Sequence, residues 1–174
     1  MQFLILGILL DGPLALYDVH KRFAAGISLF YAASFGSIQR ALRQLEVQGW
    51  AVPQDAPDTR RRKKLYLVTD AGREAWRAWM ASPLTGSDSE PMMLARIYLL
   101  GHLPAADRPA ALALIRARLS ADADRLTALA AGLDAAAVPA EFAEVYRYRR
   151  ATLDYGLRSH ALALAWLDEL ERPA

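Results

Sequence analysis

The chain is 174 residues long, 54% apolar and 23% charged, with a formal net charge of +2 and no cysteine; this is the composition of a folded globular protein and excludes disordered, collagen-like and disulfide-stapled chains. Without cysteine there is no thiolate nucleophile, Cys-based zinc site or iron–sulfur cluster, and nothing marks an oxidising compartment, so a cytoplasmic location is expected. Residues 1–83 carry 11 Lys and Arg against 7 acids and residues 84–174 carry 10 Arg against 12 acids, so the positive excess lies wholly in the first half, where it admits a nucleic-acid partner.

The first element is the apolar run Phe3 to Leu10. Eight residues are too few to cross a membrane, no basic segment precedes them, and Asp11-Gly12-Pro13 ends the run, so a buried first helix is expected and no membrane partner. Leu16, Val19 and Phe23 then recur at helical spacing, predicting a short amphipathic helix with Asp18, Lys21 and Arg22 on its polar face. Ser34 is an N-cap for a third helix, in which Ile38, Ala41, Leu42 and Leu45 form the apolar stripe and Gly49 supplies the stop. At 100° per residue Gln39, Arg40, Arg43 and Val47 face away from that stripe, and an outward face of Gln and Arg is what reaches base edges and phosphates. An ordinary solvated surface helix has the same pattern.

Trp50-Ala51-Val52 and Leu65-Tyr66-Leu67-Val68 read as two short strands around a polar loop that holds Arg60, Arg61, Arg62, Lys63 and Lys64. Five consecutive cations repel one another, but beside a polyanion each phosphate contact releases a counterion. Helix, turn, helix and a basic hairpin tip, in that order, predict a winged helix-turn-helix, with one helix in the major groove and the wing on backbone or minor groove. Lys21, Ser34, Ser37, Gln39, Arg40 and Arg43 with the five wing cations are the candidate DNA-binding residues. Thr69 caps a further helix in which Gly72, Ala75, Trp76, Trp79 and Met80 line one face, with the tryptophans as core.

The turn-forming stretch Ser82 to Ser89 divides the chain. Residues 1–83 are expected to form the DNA-binding domain and residues 84–174 a helical dimerisation domain, so the fold class is mainly α with a two-stranded wing. After the division, Leu112, Ile115, Leu119, Ala123, Leu126, Leu129 and Leu133 mark one long helix, and Phe142, Val145, Leu153, Gly156, Leu157, Leu164 and Leu167 mark another. Antiparallel about Pro139, the pair has two flanks to bury. A short helix from Met92 to Leu100 covers one flank and a second subunit the other, unless the bundle closes within one chain.

An enzyme is not expected. His20, His102 and His160 are far apart in sequence and form no metal-ligand pair at helical spacing, no serine stands in a Gly-x-Ser-x-Gly context, and phosphate-binding glycine loops are absent. No cofactor or metal is expected either. Arg147, Arg149 and Arg150, with Glu141, Glu144 and Asp154 nearby, read as an ion-paired helix face.

These stretches together carry a resemblance. Leu4-Ile5-Leu6-Gly7-Ile8-Leu9 with Gly12-Pro13-Leu14, Tyr17-Asp18-Val19 leading to Phe23, Ser34-Phe35-Gly36-Ser37-Ile38 with Leu45-Glu46 to Gly49, and Lys63 to Thr69 with Ala71-Gly72-Arg73 resemble PadR-family transcriptional regulators of the longer type. Leu94 to Gly101, Thr152 to Leu157 and Ala165 to Leu170 are similar to the helical C-terminal domain of that family. The chain departs from the pattern in having Gln39-Arg40 where Tyr-Pro is common, Leu16 where a Gly is usual, and a wing of almost unbroken positive charge. The resemblance implies a repressor acting as a homodimer on an inverted-repeat operator in double-stranded DNA. It also implies response to a small aromatic or hydrophobic effector, for which Trp76, Trp79, Tyr155 and Trp166 are aromatic candidates. The alternative is a winged-helix module that binds an acidic protein surface through its basic loop; a small helical enzyme is a third reading.

Overall fold

The computed structural model describes residues 1–55, 64–86 and 89–172. Their elements are α1 (Gln2–Leu9), α2 (Leu16–Ala25), α3 (Phe35–Val47), β1 (Ala51–Asp55), β2 (Lys64–Val68), α4 (Asp70–Met80), α5 (Ser89–Leu99), α6 (Arg108–Asp134) and α7 (Ala143–Leu170), with short 3-10 turns between some of them. The chain divides into two compact units, Met1–Ala111 and Leu112–Ala174. The architecture is mainly helical with one two-stranded sheet, the arrangement of a winged helix-turn-helix followed by long helices, as the sequence predicts.

In the first unit α1 is the centre. Leu4, Ile5, Leu6, Ile8 and Leu9 are each at most 2% exposed, because α3, α4 and α5 all pack on this helix. A helix apolar on every side is stable in water only when it is enclosed. Gly7 allows the closest approach: a Cβ there would lie 2.3 Å from the Leu99 side chain of α5. The docking of α5 on α1 was not expected from its sequence. Val19 and Phe23 of α2 and Ile38, Leu42 and Leu45 of α3 complete the core, as their spacing predicts. Trp76 is buried with them, while Phe3 stacks on Trp79 at 5.4 Å and meets Trp50 at 5.5 Å.

The wing strands pair antiparallel from Ala51 opposite Val68 out to Asp55 opposite Lys64. Leu14 exchanges two backbone hydrogen bonds with Tyr66 on the other edge of β2, at 3.2 and 2.9 Å. This single-residue bridge ties the turn after α1 to the wing.

At the base of the wing Gly49 has φ +70°, the left-handed conformation that favours glycine. Thr69 donates its hydroxyl to the Gly49 carbonyl at 2.7 Å, accepts from the Gly72 amide at 3.0 Å and donates its own amide to the Trp50 carbonyl at 3.0 Å. One threonine thus caps α4 and fastens it to the end of the preceding helix. A Cβ at Gly72 would lie 2.1 Å from the Trp50 carbonyl oxygen, so only glycine permits this contact. Beyond α4, the Arg96 guanidinium is 2% exposed, donates to the Ser82 carbonyl and hydroxyl, and lies 5.0 Å over the Trp79 ring. It holds α5 against the end of α4, and burial lowers its pKa.

The second unit pairs α6 with α7 in antiparallel order, as the bonds from Arg150 to Asp134 and from Arg116 to Asp168 and Glu171 require. Leu153 and Leu167 are buried and Gly156 lies close under Leu126, but Phe142 and Val145, predicted on the same stripe, are 54% and 46% exposed. Asp122 is buried between Arg118, at 2.8 Å, and Arg125, with the His160 ring nitrogen 3.9 Å away. Burial alone would raise the pKa of this carboxyl; the hydrogen bond and charge of Arg118, with the charges of Arg125 and His160, outweigh it and hold the group below its usual range.

Three substitutions test this packing. Gly72→Ala is expected to cost at least about 1–3 kcal/mol by overpacking, whereas Gly132→Ala, whose Cβ meets nothing within 4 Å, is expected to stabilise α6 by about 0.5–1 kcal/mol; urea unfolding measures both. Asp122→Asn is expected to cost about 1.5–3 kcal/mol at pH 7 through its lost charge-assisted bonds. A carboxyl depressed in the folded state contributes its stabilisation fully above its unfolded pKa and loses it as pH falls through the folded value. The difference between Asp122→Asn and the parent should therefore shrink towards pH 3.

Candidate nucleic-acid interface

The local sequence explains why α3 is presented rigidly. Ser34 accepts the Ser37 amide at 3.1 Å and its own amide donates to the Ser37 hydroxyl at 2.9 Å, a reciprocal cap that satisfies the first turn. Ile38, Ala41, Leu42 and Leu45 are buried beneath the helix, and Arg40, Arg43, Gln44 and Val47 are exposed above it, with Gln39 half-buried. Arg40 and Arg43 form no ion pair among the described residues. Their charges are therefore available to an external partner.

The remaining predicted residues fall on neighbouring elements. Lys21 is exposed on α2, its ammonium 5.0 Å over the Tyr17 ring. The α2 and α3 helices pack together, with His20 edge-on to Phe35 at 5.5 Å, so Lys21 and the Ser34–Ser37 cap lie on adjoining helices. The Ser34 and Ser37 side chains serve that cap first. Lys64 is exposed at the outer end of the wing, opposite Asp55. Arg60, Arg61, Arg62 and Lys63 lie outside the described residues.

Helix α3 and the wing strands are coupled electrostatically as well as through Thr69. The Tyr66 phenol has a raised pKa, chiefly from burial and then from the charge of Glu46, which Arg43 partly offsets. Two of those three groups stand on α3 and one on β2. Sequence reasoning missed the exposed aromatics beside this face, Tyr17 and Phe35; the Tyr17–Lys21 spacing of one helical turn was the available signal.

Elsewhere the charges are largely consumed within the molecule. Arg116, Arg118, Arg125, Arg147, Arg150 and Arg158 in the second unit all pair with carboxylates. Arg150 takes Asp134 on the facing helix rather than a neighbour on its own. Among the described residues no group of three or more His, Asp or Glu side chains could hold a metal ion, and no helix is long and apolar enough to cross a membrane.

The chain is similar to known proteins in two stretches. Residues 5–78 match the transcriptional regulator PadR-like family and residues 92–172 match the virulence activator alpha C-terminal family. The negative transcriptional regulator PadR of Bacillus subtilis is 26% identical over 102 residues, 57% of this chain and 56% of that protein. The probable transcriptional regulator Rv1176c of Mycobacterium tuberculosis is 32% identical over 74 residues, 40% of this chain and 37% of that protein. The chain thus spans between about a third and just over half the length of these curated relatives. Among solved structures, Bacillus subtilis PadR in complex with operator DNA is 22% identical, with 97% of this chain and 94% of that chain covered and a TM-score of 0.44. The capped helix, the wing strands and the threonine that joins them all lie inside residues 5–78, and that stretch is a domain of the PadR-like family of transcriptional regulators.

Proposed function

We propose that the chain is a cytoplasmic, sequence-specific DNA-binding regulator that acts as a homodimer on an inverted-repeat operator, with residues 1–83 as the DNA-binding domain and residues 84–174 as the dimerisation domain. The observation that carries the reading is α3: a capped, core-anchored helix whose exposed face bears Arg40 and Arg43 without ion-pair partners. The major groove admits a helix of this kind, and arginine pairs there with guanine O6 and N7. Lys64, with Arg60, Arg61, Arg62 and Lys63 preceding it in sequence, suits the flanking phosphates. The two family matches, ending at residue 78 and beginning at residue 92, support a division near Pro83. In this reading α5 belongs functionally to the second domain and docks on the first.

The homodimer is supported by α7. Val145, Tyr148, Tyr155 and Leu162, spaced by three and seven residues, are 46–74% exposed along one side of the helix. That is the seam of a heptad, and a second copy of the same seam is the occupant it fits. Two-fold symmetry then calls for an operator with matching half-sites. Repression by occupancy is the simplest action of such a dimer, and the Bacillus subtilis relative is named a negative regulator.

A small aromatic or hydrophobic effector would act by binding two arrangements of the heads with different affinity. A cavity of about 270 Å³ in the first unit, lined by Met1, Phe30, Tyr31, Ala32, Pro91 and Met92, has the apolar chemistry for one. None of Trp76, Trp79, Tyr155 or Trp166 lines it.

Fluorescence anisotropy with DNA from upstream of the chain's own gene, against scrambled competitor, tests the reading. Arg43→Ala is expected to cost about 1–3 kcal/mol and relax base preference. Lys64→Ala should weaken all duplexes alike and lower the salt slope by about 1. Binding unchanged by both substitutions, or a salt-sensitive complex with an acidic protein in place of selective DNA binding, contradicts it. Tyr155→Glu with Leu162→Glu is expected to yield monomers in analytical ultracentrifugation and to weaken operator binding at least about tenfold; a double variant that stays dimeric removes this face from the interface.

A further inference from the structure

One corner of the first unit takes no part in the DNA reading. Arg73 and Arg77 stand one turn apart on α4, a spacing at which like charges repel, and neither side chain has a hydrogen bond or ion pair among the described residues. Between them and His102 lies a cavity of about 230 Å³, walled by Leu10 and Trp76. The Trp76 side chain is 1% exposed and its indole N–H has no acceptor, although buried donors are normally satisfied. Asp11, whose carboxylate lies 3.4 Å from the His102 ring nitrogen, also accepts from Arg22. Its charge is therefore taken up outside α4.

We propose that this corner binds a phosphate-like oxyanion, held by the Arg73 and Arg77 guanidiniums with His102 at its side. Two guanidinium forks one turn apart match the spread oxygens of a tetrahedral anion, and a bound anion turns their mutual repulsion into attraction. Roughly 10–15 Å³ of such space holds one water, so the cavity takes a small oxyanion together with hydrating water. The anion has two possible sources with the same chemistry: a free phosphate group, or a backbone phosphate of a bound duplex. The free-phosphate form stands whether or not the DNA reading does; only the backbone form rests on it.

The test uses the full chain and inorganic phosphate as probe. Calorimetric titration and thermal melts in phosphate, against chloride at equal ionic strength, are compared for the parent and Arg73→Gln/Arg77→Gln, with circular dichroism to verify folding. Loss of two charge-assisted contacts should weaken phosphate binding about tenfold or more and remove the phosphate-dependent rise in melting temperature. This result assigns a free anion. No phosphate response in the parent, with a duplex salt slope smaller by about 1 in the double variant, assigns the backbone phosphate. A double variant that equals the parent in both measurements overturns the proposal. Should it fold poorly, Arg77→Gln alone, at an exposed position, is read by the same criteria.

Discussion

The first unit depends on one contact, the approach of the first turn of α4 to the Gly49–Trp50 corner. The Gly72 backbone lies so near the Trp50 carbonyl that no side chain fits between them, and Thr69 closes the contact from both sides with three hydrogen bonds. The corner is also where α3 ends and the wing begins. Holding it fixes the angle between α3 and the β1–β2 hairpin. The Leu14–Tyr66 bridge repeats the constraint on the other edge of β2, and α1 lies beneath both as a helix with no solvent face to lose. Any ligand held by helix and wing together requires the two to be placed as one body, because a shift of about 1 Å in a positioning contact is enough to lose directional hydrogen bonds.

The two units differ in how their charges are paired. In the second unit Arg116, Arg118, Arg125, Arg147, Arg150 and Arg158 face carboxylates, and Asp122 is held ionised in a buried site by two of them. In the first unit Arg40, Arg43, Lys64, Arg73 and Arg77 carry no ion pair among the described residues. Unpaired surface cations repel one another, and a polyanion bound beside them would relieve that repulsion.

The local chemistry of the fold was legible because it is written in adjacent residues. Ser34 and Gly49 bound α3, Thr69 caps the next helix, and the leucine spacings of α6 and α7 mark their lengths. What the chain conceals is tertiary. Gly72 reads as an apolar-face residue until Trp50 is brought against it, and Gly7 reads as a weak helix residue until Leu99 arrives. A one-residue bridge such as Leu14–Tyr66 has no period to detect. Arg73 and Arg77 look like ordinary solvated charges, and only the packing of α1, α4 and the turn at His102 places a cavity beside them. On α7 the apolar spacing serves two sides of one helix, so Val145 was assigned to the stripe of Leu153 and Leu167 whereas it stands with the exposed Tyr148, Tyr155 and Leu162.

The central claim is that a two-fold pair of α3 helices reads duplex DNA. Selection of bound sequences from a random duplex library by the purified chain tests it most directly, since it presumes neither the operator nor its location. The account predicts enrichment of an inverted repeat whose half-sites lie about one helical turn, 10–10.5 base pairs, or a multiple of that apart. Recovery of a pool indistinguishable from the input, at salt low enough for nonspecific binding to be measured, would contradict it.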